Sequence, residues 1–250
     1  MNNKTLTILI PAFNESKRIV KTLDNIDAYI SKTSSLYNSL PYKLNATVVS
    51  DGSTDNTDST VNEWIQNKSK NKNSFTMISY KPNKGKGYAV REGILNIESD
   101  FILYTDADGA SPIEELEKLI SWIDKGFDIV IGSRIVKDNN SKVKMSFIRR
   151  FVGRVFHSLL KLCDLADVVD TQCGFKLFKT TVVKKIAINQ KCFGFSFDIE
   201  YLYLARMFGY KIKEVSINWY HVEGSKVNLA KDSIKMFIEV LKIRFINKYN

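Results

Sequence analysis

A chain of 250 residues with 44% hydrophobic and 26% charged residues can bury a full core, which excludes the disordered and low-complexity classes. Three cysteines with no CxxC pair exclude a disulfide framework and a thiolate zinc site, and point to a reducing compartment. The formal charge of +10 admits nucleic acid, anionic lipid headgroups or a phosphorylated substrate as partners.

Leu6 to Ile10 is a short apolar run closed by Pro11, which suits a buried strand. Glu15 and Ser16 open a helical pattern carrying Ile19, Val20, Leu23, Ile26 and Ile30. Ser31 to Asn45 reads as a loop, and Ala46 to Ser50 as a second strand running into Asp51-Gly52-Ser53. Asp55 is placed to cap a helix through Trp64 and Ile65, and Asn67 to Ser74 reads as another loop. Phe75 to Tyr80 is a third strand, followed by a Lys/Gly loop and a helix through Ala89, Val90, Gly93, Ile94 and Ile97. Phe101 to Thr105 and Asp128 to Ile131 are the fourth and fifth strands, with a helix opened by Ser111-Pro112 between them. Alternation at a spacing of about 25 residues predicts a mostly parallel α/β sheet with helices on both faces and its chemistry at the carboxyl ends of the strands. Trp64 and Trp122 read as core. Residues 134–161 hold eight Lys/Arg against one acid, Asp138, a local charge of +7. Met1 to Ile10 is too short an apolar run for a signal peptide, and no stretch reaches the roughly 18 continuous apolar residues of a transmembrane helix. A membrane is therefore expected to be met at its surface.

The strongest chemical signal is Tyr104-Thr105-Asp106-Ala107-Asp108-Gly109. Two carboxylates two residues apart at a strand end are costly unless a cation neutralises them, and hard oxygen donors suit Mg2+ or Mn2+. A solvated turn with Asp capping the next helix is the competing reading, disfavoured by the position after an apolar strand. Asp51 could accept the imide N–H of a uracil or the edge of a guanine, whereas Asp55 reads as mostly structural. Asn83-Lys84-Gly85-Lys86-Gly87 precedes a helix, where glycines let a backbone approach a ligand and the helix N-terminus with lysines attracts phosphate. It is not a Walker A loop.

The ordered motifs Ile10-Pro11-Ala12-Phe13-Asn14-Glu15, Asp51 to Asp55, Asn83 to Gly87 and Asp106-Ala107-Asp108 resemble the inverting family 2 glycosyltransferases, of GT-A (Rossmann-like) fold. Asp170-Thr171-Gln172-Cys173-Gly174-Phe175-Lys176-Leu177-Phe178 and Glu223-Gly224-Ser225-Lys226 look like the dolichyl-phosphate β-glucosyltransferases, and less like the related dolichyl-phosphate mannose synthases. The resemblance implies a catalytic domain over 1–226, divided into a nucleotide-sugar half (1–132) and an acceptor half (133–226), and a C-terminal amphipathic helix over 227–250. It implies that Pro11, Ala12, Asn14, Glu15 and Asp51 line the nucleotide pocket, with Asp51 on the base. Lys84, Gly85, Lys86, Gly87 and Arg91 would flank the sugar diphosphate. Asp106, Ala107 and Asp108 would hold sugar and divalent metal, with Asp108 the main ligand. Ser133, Arg134, Arg149, Arg150, Ser225 and Lys226 would bind the acceptor phosphate. Asp170 and Gln172 would approach the reacting centre, and Asp198 and Glu200 stand where many relatives carry a catalytic carboxylate. Two departures stand out. Gly109-Ala110 replaces the Leu-Gln of mannose synthases, which favours the glucosyl branch, and the N-terminal membrane helix usual in that branch is not read here.

The implied reaction is transfer of a hexose, glucose from UDP-glucose in the first instance, to a polyprenyl or dolichyl phosphate. A GDP-mannose donor or a non-lipid glycan acceptor are the alternatives. Val152, Val155, Phe156, Leu159 and Leu160 beside Arg149, Arg150, Arg154 and Lys161 form one amphipathic face. Ile234, Phe237, Ile238, Leu241 and Phe245 among Lys235, Lys242, Arg244 and Lys248 form another. Both suit peripheral association with the cytoplasmic side of a membrane, an ordinary core, or pairing in a homo-oligomer or with a membrane partner subunit. His157 reads as structural, His221 as a site candidate, and Trp219 as a residue facing the lipid. A nucleic-acid-binding module is rejected, because the Asp106/Asp108 pair would repel a polyanion.

Overall fold

The computed structural model describes residues 4–33, 42–70, 74–136, 160–161, 163, 165, 168–222, 229–247 and 249, with backbone alone for 229–234. In chain order the elements are β1 (Lys4–Ala12), α1 (Ile19–Thr33), β2 (Tyr42–Asp51), α2 (Thr57–Asn67), β3 (Phe75–Tyr80), α3 (Lys86–Asn96) and β4 (Phe101–Thr105). A 3-10 turn at Ile113–Glu115 leads into α4 (Leu116–Ile123), followed by β5 (Ile129–Ser133), β6 (Phe175–Lys179), α5 (Thr180–Asn189), α6 (Phe197–Met207) and β7 (Ile212–Ser216). The described chain closes with α7 (Leu229–Leu241) and a π-helical turn at Lys242–Ile246.

The strands form one sheet in the order β3-β2-β1-β4-β6-β5-β7. β1 pairs in parallel with β2 and β4, β2 with β3, and β5 with β7, while β6 runs antiparallel to both β4 and β5. The expected mostly parallel sheet is therefore present, with one reversed strand, the fifth of the seven, inside it. Alternating side chains divide the core. Leu6, Ile8, Ile10, Leu103, Phe175 and Leu177 pack on the side of α1, α2 and α4. Leu9, Ile102, Tyr104, Ile131 and Phe178 pack on the side of α3, α5 and α6. This period of two is what a sheet covered on both faces requires.

Several boundaries differ from the sequence expectation. β1 continues through Pro11, which pairs in register with Val49, to Ala12; proline forfeits one ladder donor but is tolerated near the strand end. α1 begins at Ile19 because the Asn14–Ser16 backbone is held elsewhere: Glu15 N–H donates to Thr57 Oγ1 (2.7 Å) and Ser16 N–H to Asp55 Oδ2 (3.3 Å). α1 runs on to Thr33 and β2 starts at Tyr42, both inside the span read as a loop from Ser31 to Asn45. β5 begins one residue after Asp128, whose carboxylate pairs with Lys179 Nζ at 2.8 Å, and extends to Ser133. Trp64 is 2% exposed and donates to Asp24 Oδ1 at 2.7 Å, whereas Trp122 is half-buried at the rim with Lys125 and Lys213 Nζ each 4.1 Å from its ring.

Candidate active site

The carboxyl ends of β1, β2 and β4 meet, and short polar side chains tie their loops together. Asn14, at φ 54, accepts Thr54 N–H (2.7 Å) and Asp55 N–H (3.2 Å) on its Oδ1 and donates its own N–H to Ser53 Oγ (3.0 Å). Glu15 binds the Arg18 guanidinium through both oxygens. Asp55 accepts the Thr57 N–H at 2.9 Å, the helix-entry role read for it, and these bonds with those from Ser16 hold its carboxyl down at about 2 against burial. Pro11 and Ala12 are buried under these loops.

Asp51, expected on the nucleotide base, is 3% exposed and has four donors on its carboxylate: Tyr80 Oη (2.9 Å), Asn83 Nδ2 (2.8 Å), Lys84 N–H (2.8 Å) and Gly85 N–H (2.9 Å). In this conformation it organises the Lys/Gly loop. The loop's glycines also answer to the protein: a Cβ on Gly87 would stand 2.7 Å from Phe197 Cβ and 2.8 Å from Cys192 O, and Gly85, at φ 105, lies against Phe193 O. Lys84 Nζ sits 4.4 Å from the Tyr88 ring centroid and donates to its hydroxyl at 3.0 Å. Arg91, expected beside the diphosphate, donates from Nε to the Ala187 carbonyl at 3.0 Å.

At the end of β4 the charges can be matched pair by pair. Asp106 Oδ1 accepts from Lys86 Nζ (2.7 Å) and Tyr104 Oη (2.9 Å). Burial pushes its carboxyl upward, but Lys86 and these hydrogen bonds outweigh that and hold it below the usual range. Behind it, Lys176 from β6 ion-pairs with Asp198 from α6 and donates to Cys173 O at 2.7 Å, although it is only 1% exposed. Arg134 makes a two-pronged pair with Asp170 (2.8 and 2.7 Å). Asp108 alone in this cluster has no ion-pair partner among the described residues; its Oδ1 accepts only the Ala110 N–H at 3.0 Å. Burial, then the neighbouring Asp106 charge, raises its pKa. The surplus acid is the half-buried, reachable one. No group of three or more His, Cys, Asp or Glu side chains is gathered among the described residues, so Asp106 and Asp108 would supply two oxygens to a divalent ion and leave the remaining positions to phosphate and water. The donor chemistry fits Mg2+ or Mn2+. Ala107 is buried and accepts Thr22 Oγ1 on its carbonyl at 2.8 Å, and Gly109 takes φ 66 beside the same threonine.

On the acceptor side, Ser133 Oγ accepts the Val136 N–H (3.1 Å) and shapes the turn presenting Arg134, whose guanidinium lies 5.7 Å from the Trp219 ring. Glu214 from β7 fixes the other partner by accepting the Val169 and Asp170 N–H groups, each at 2.8 Å. Gln172 is half-buried, with no side-chain hydrogen bond among the described residues. His221 is exposed beside Trp219. Arg149, Arg150, Arg154, His157, Ser225 and Lys226 lie outside the described residues, as does most of the first amphipathic face.

The two α6 carboxylates separate. Asp198 faces the charge cluster, and burial raises its pKa against the pull of Lys176 and Lys86. Glu200, fully buried, accepts Lys191 N–H (2.9 Å), Cys192 N–H (2.8 Å) and Tyr249 Oη (2.7 Å), so it braces the loop that underlies Gly85 and Gly87. In the C-terminal segment Val240 and Ile243 pack with Leu160, Cys192 and Ile199, while Phe237, Ile238, Phe245 and Ile246 are exposed. Among the described residues no helix is long and apolar enough to cross a membrane.

Sequence reasoning assigned no role to Tyr104, Gly174 and Lys176, which it met only as motif members, and did not single out Glu214. The signal for two of them was a glycine and a lone lysine within the apolar run Cys173 to Phe178. A Cβ on Gly174 would overlap Cγ and both carboxylate oxygens of Asp106. Gly174→Ala is therefore expected to lower the activity of this site by about 100-fold or more through displacement of Asp106, as a misplacement of about 1 Å does in other sites. Steady-state kinetics alongside thermal melting check this: near-normal activity would show that Asp106 is free to shift without cost.

The model of the family described as Glycosyl transferase family 2 matches residues 7–187. The chain is 37% identical to dolichyl-phosphate beta-glucosyltransferase of Saccharomyces cerevisiae, over 96% of this chain and 74% of that protein. To the enzymes of that name from Trichomonas vaginalis and Homo sapiens it is 34% and 32% identical, over 98% and 96% of this chain and 74% and 75% of theirs. Among solved structures, glucosyl-3-phosphoglycerate synthase from Mycobacterium tuberculosis superposes with a TM-score of 0.70 at 17% identity in complex with uridine-diphosphate, over 98% of this chain and 82% of that one. The complex with Mn2+, uridine-diphosphate-glucose and phosphoglyceric acid gives 0.70 at 16% identity, over 98% and 81%. That likeness carries the fold, GT-A.

Proposed function

Because the chain belongs to glycosyl transferase family 2 and is a glycosyltransferase, we propose that it transfers glucose from UDP-glucose to dolichyl phosphate, with inversion, giving β-linked dolichyl-phosphate glucose and UDP. The carrying observation is the unmatched Asp108 beside the Lys86–Asp106 pair at the end of β4, in a chain related over nearly its full length to dolichyl-phosphate glucosyltransferases. A divalent cation, Mg2+ or Mn2+, is the proposed cofactor, with Asp108 and Asp106 as its protein ligands. When bound it neutralises charge on the leaving diphosphate.

An acceptor phosphate monoester is anionic near neutral pH. Its oxygen attacks the anomeric carbon from the side opposite the nucleotide, the bond from that carbon to the UDP oxygen breaks, and UDP leaves with the electron pair. No proton must move, so no strong base is required. The engagement of Asp198 by Lys176 and of Glu200 by backbone N–H groups supports this assignment. Lys86, at the first residue of α3, offers its ammonium and the helix N-terminus to the leaving phosphates. Gln172 and the Arg134–Asp170 pair face the acceptor. Phe237, Ile238, Phe245 and Ile246 (43, 48, 69 and 66% exposed), with exposed Lys235, Lys242 and Arg244 around them, support docking on a membrane surface where the lipid acceptor resides.

The test is a transfer assay on the full chain with dolichyl phosphate in vesicles and Mn2+, comparing labelled UDP-glucose with labelled GDP-mannose. Label from UDP-glucose is expected in the lipid phase, with the chain co-sedimenting with the vesicles. Label from GDP-mannose only would overturn the donor, and label reaching no lipid would overturn the acceptor.

A further inference from the structure

Three of the ion pairs among the described residues stand around Asp106 from β4, β5 and β6, and they differ in how readily they could open. Lys176–Asp198 has side chains 1% and 6% exposed, and Arg134–Asp170 has an acid 3% exposed and three hydrogen bonds between its members. In Lys86–Asp106 both partners are accessible, at 28% and 35%, and one contact of 2.7 Å joins them. Asp106 is also half of the carboxylate pair that would hold a divalent cation. An ammonium in contact with Asp106 and a doubly charged ion on the same carboxylate repel one another at close range.

The surroundings of Lys86 offer it a second position. It opens α3 directly after Gly85, so its flexible stem stands at a helix N-terminus, where the dipole favours anions, although Gly85 N–H is given to Asp51 and Tyr88 N–H to Phe193 O. The charges that reach it are Asp106, Asp198 and Asp108, and Asp198 is locked in place by Lys176. Asp198 therefore remains as counter-charge wherever the ammonium turns. Tyr104 Oη stays on Asp106 at 2.9 Å, so the carboxylate keeps one donor when Lys86 leaves.

We propose that Lys86 exchanges partners: it neutralises Asp106 while the cleft is empty, releases that carboxylate when a divalent cation is held, and turns its ammonium to the leaving diphosphate. This rests on the reading of the cleft as a nucleotide-sugar site. The exchange makes cation and nucleotide cooperative, because each favours the Lys86 position that the other needs. It gives a physical reason for an empty cleft to hold cations poorly and a nucleotide-bearing one to hold them well.

The experiment is Mn2+ titration of the full chain, followed by the electron paramagnetic resonance signal of free Mn2+, with and without UDP. The wild type is expected to bind Mn2+ alone weakly and about tenfold or more tighter with UDP present. Lys86→Gln is expected to bind Mn2+ alone about tenfold tighter than wild type and, after allowance for Mn2+ held by UDP in solution, to show a UDP enhancement smaller by the same factor, the rest being direct coordination by the diphosphate. Lys86→Arg, whose guanidinium can grip Asp106 with two hydrogen bonds, is expected to bind Mn2+ alone more weakly. Opposite shifts in the two variants separate exchange from general damage to the site. An unchanged or weakened Mn2+ affinity in Lys86→Gln, or both variants moving the same way, would overturn the exchange. Should wild-type protein transfer no glucose to dolichyl phosphate while the Mn2+ pattern holds, the functional reading falls and the exchange stands. The reverse combination sinks the exchange alone.

Discussion

Asp108→Asn is expected to lower transfer by about 1,000-fold or more while leaving the fold intact. Asp108 is the carboxylate in the cluster without an ion-pair partner among the described residues. Asn keeps the shape and can still accept the Ala110 N–H, but it loses the charge that a divalent cation requires. Removing that charge also relieves repulsion from Asp106, so the melting temperature should hold or rise. Loss of transfer with an unchanged or higher melting temperature, matched by loss in wild type on chelation, is the expected pattern. Substantial residual activity in Asp108→Asn would move the metal site elsewhere.

The second large effect is on stability. Lys176→Met is expected to destabilise the protein by roughly 3–5 kcal/mol, because Asp198 would be left as a buried carboxylate whose nearest cation has gone. Methionine is close to lysine in length, so lost packing contributes little. The double replacement Lys176→Met with Asp198→Leu should recover much of that loss, since a buried pair is often replaceable by apolar residues at small cost. Urea unfolding of the three proteins measures this. A double variant as unstable as Lys176→Met would mean that the deficit comes from packing in β6 and not from the stranded charge.

The first four strands were legible because each is an apolar run closed by residues that turn the chain or carry charge, as in Phe75–Tyr80 and Phe101–Thr105, whose bounds match the expectation. β6 was not read as a strand, since Lys176 interrupts its apolar character and a buried lysine declares itself only through a partner 22 residues away on α6. Its reversed direction was equally hidden, because pairing sense is a property of the returning chain and not of the five residues themselves. Asp51, Asp106 and Asp108 were legible as a carboxylate set by their places after strands. What those carboxylates touch was not: the four donors on Asp51 and the glycine that makes room for Asp106 come from loops distant in sequence. The donor-loop glycines show the same limit, since the pattern Asn83 to Gly87 announces close approach but not that the approaching backbone is residues 192–194.

The reversed β6 also governs the order in which the sheet can be completed. Residues 1–105 contain β3, β2, β1 and β4, and these pair in parallel with no help from later strands. Until Phe175–Lys179 has been made, β4 is the margin of that sheet, with Phe101–Tyr104 presenting unpaired amide and carbonyl groups on residues whose side chains are aromatic or aliphatic. Such a margin is a template for the wrong chain. On the ribosome, the interval between Thr105 and Phe175 is thus the period of greatest exposure to aggregation, and the closing of β6 over β4 ends it while seating Gly174 against Asp106. Covering of the β4 edge and seating of Asp106 are one event, and the sheet itself is finished only later, when β7 pairs with β5.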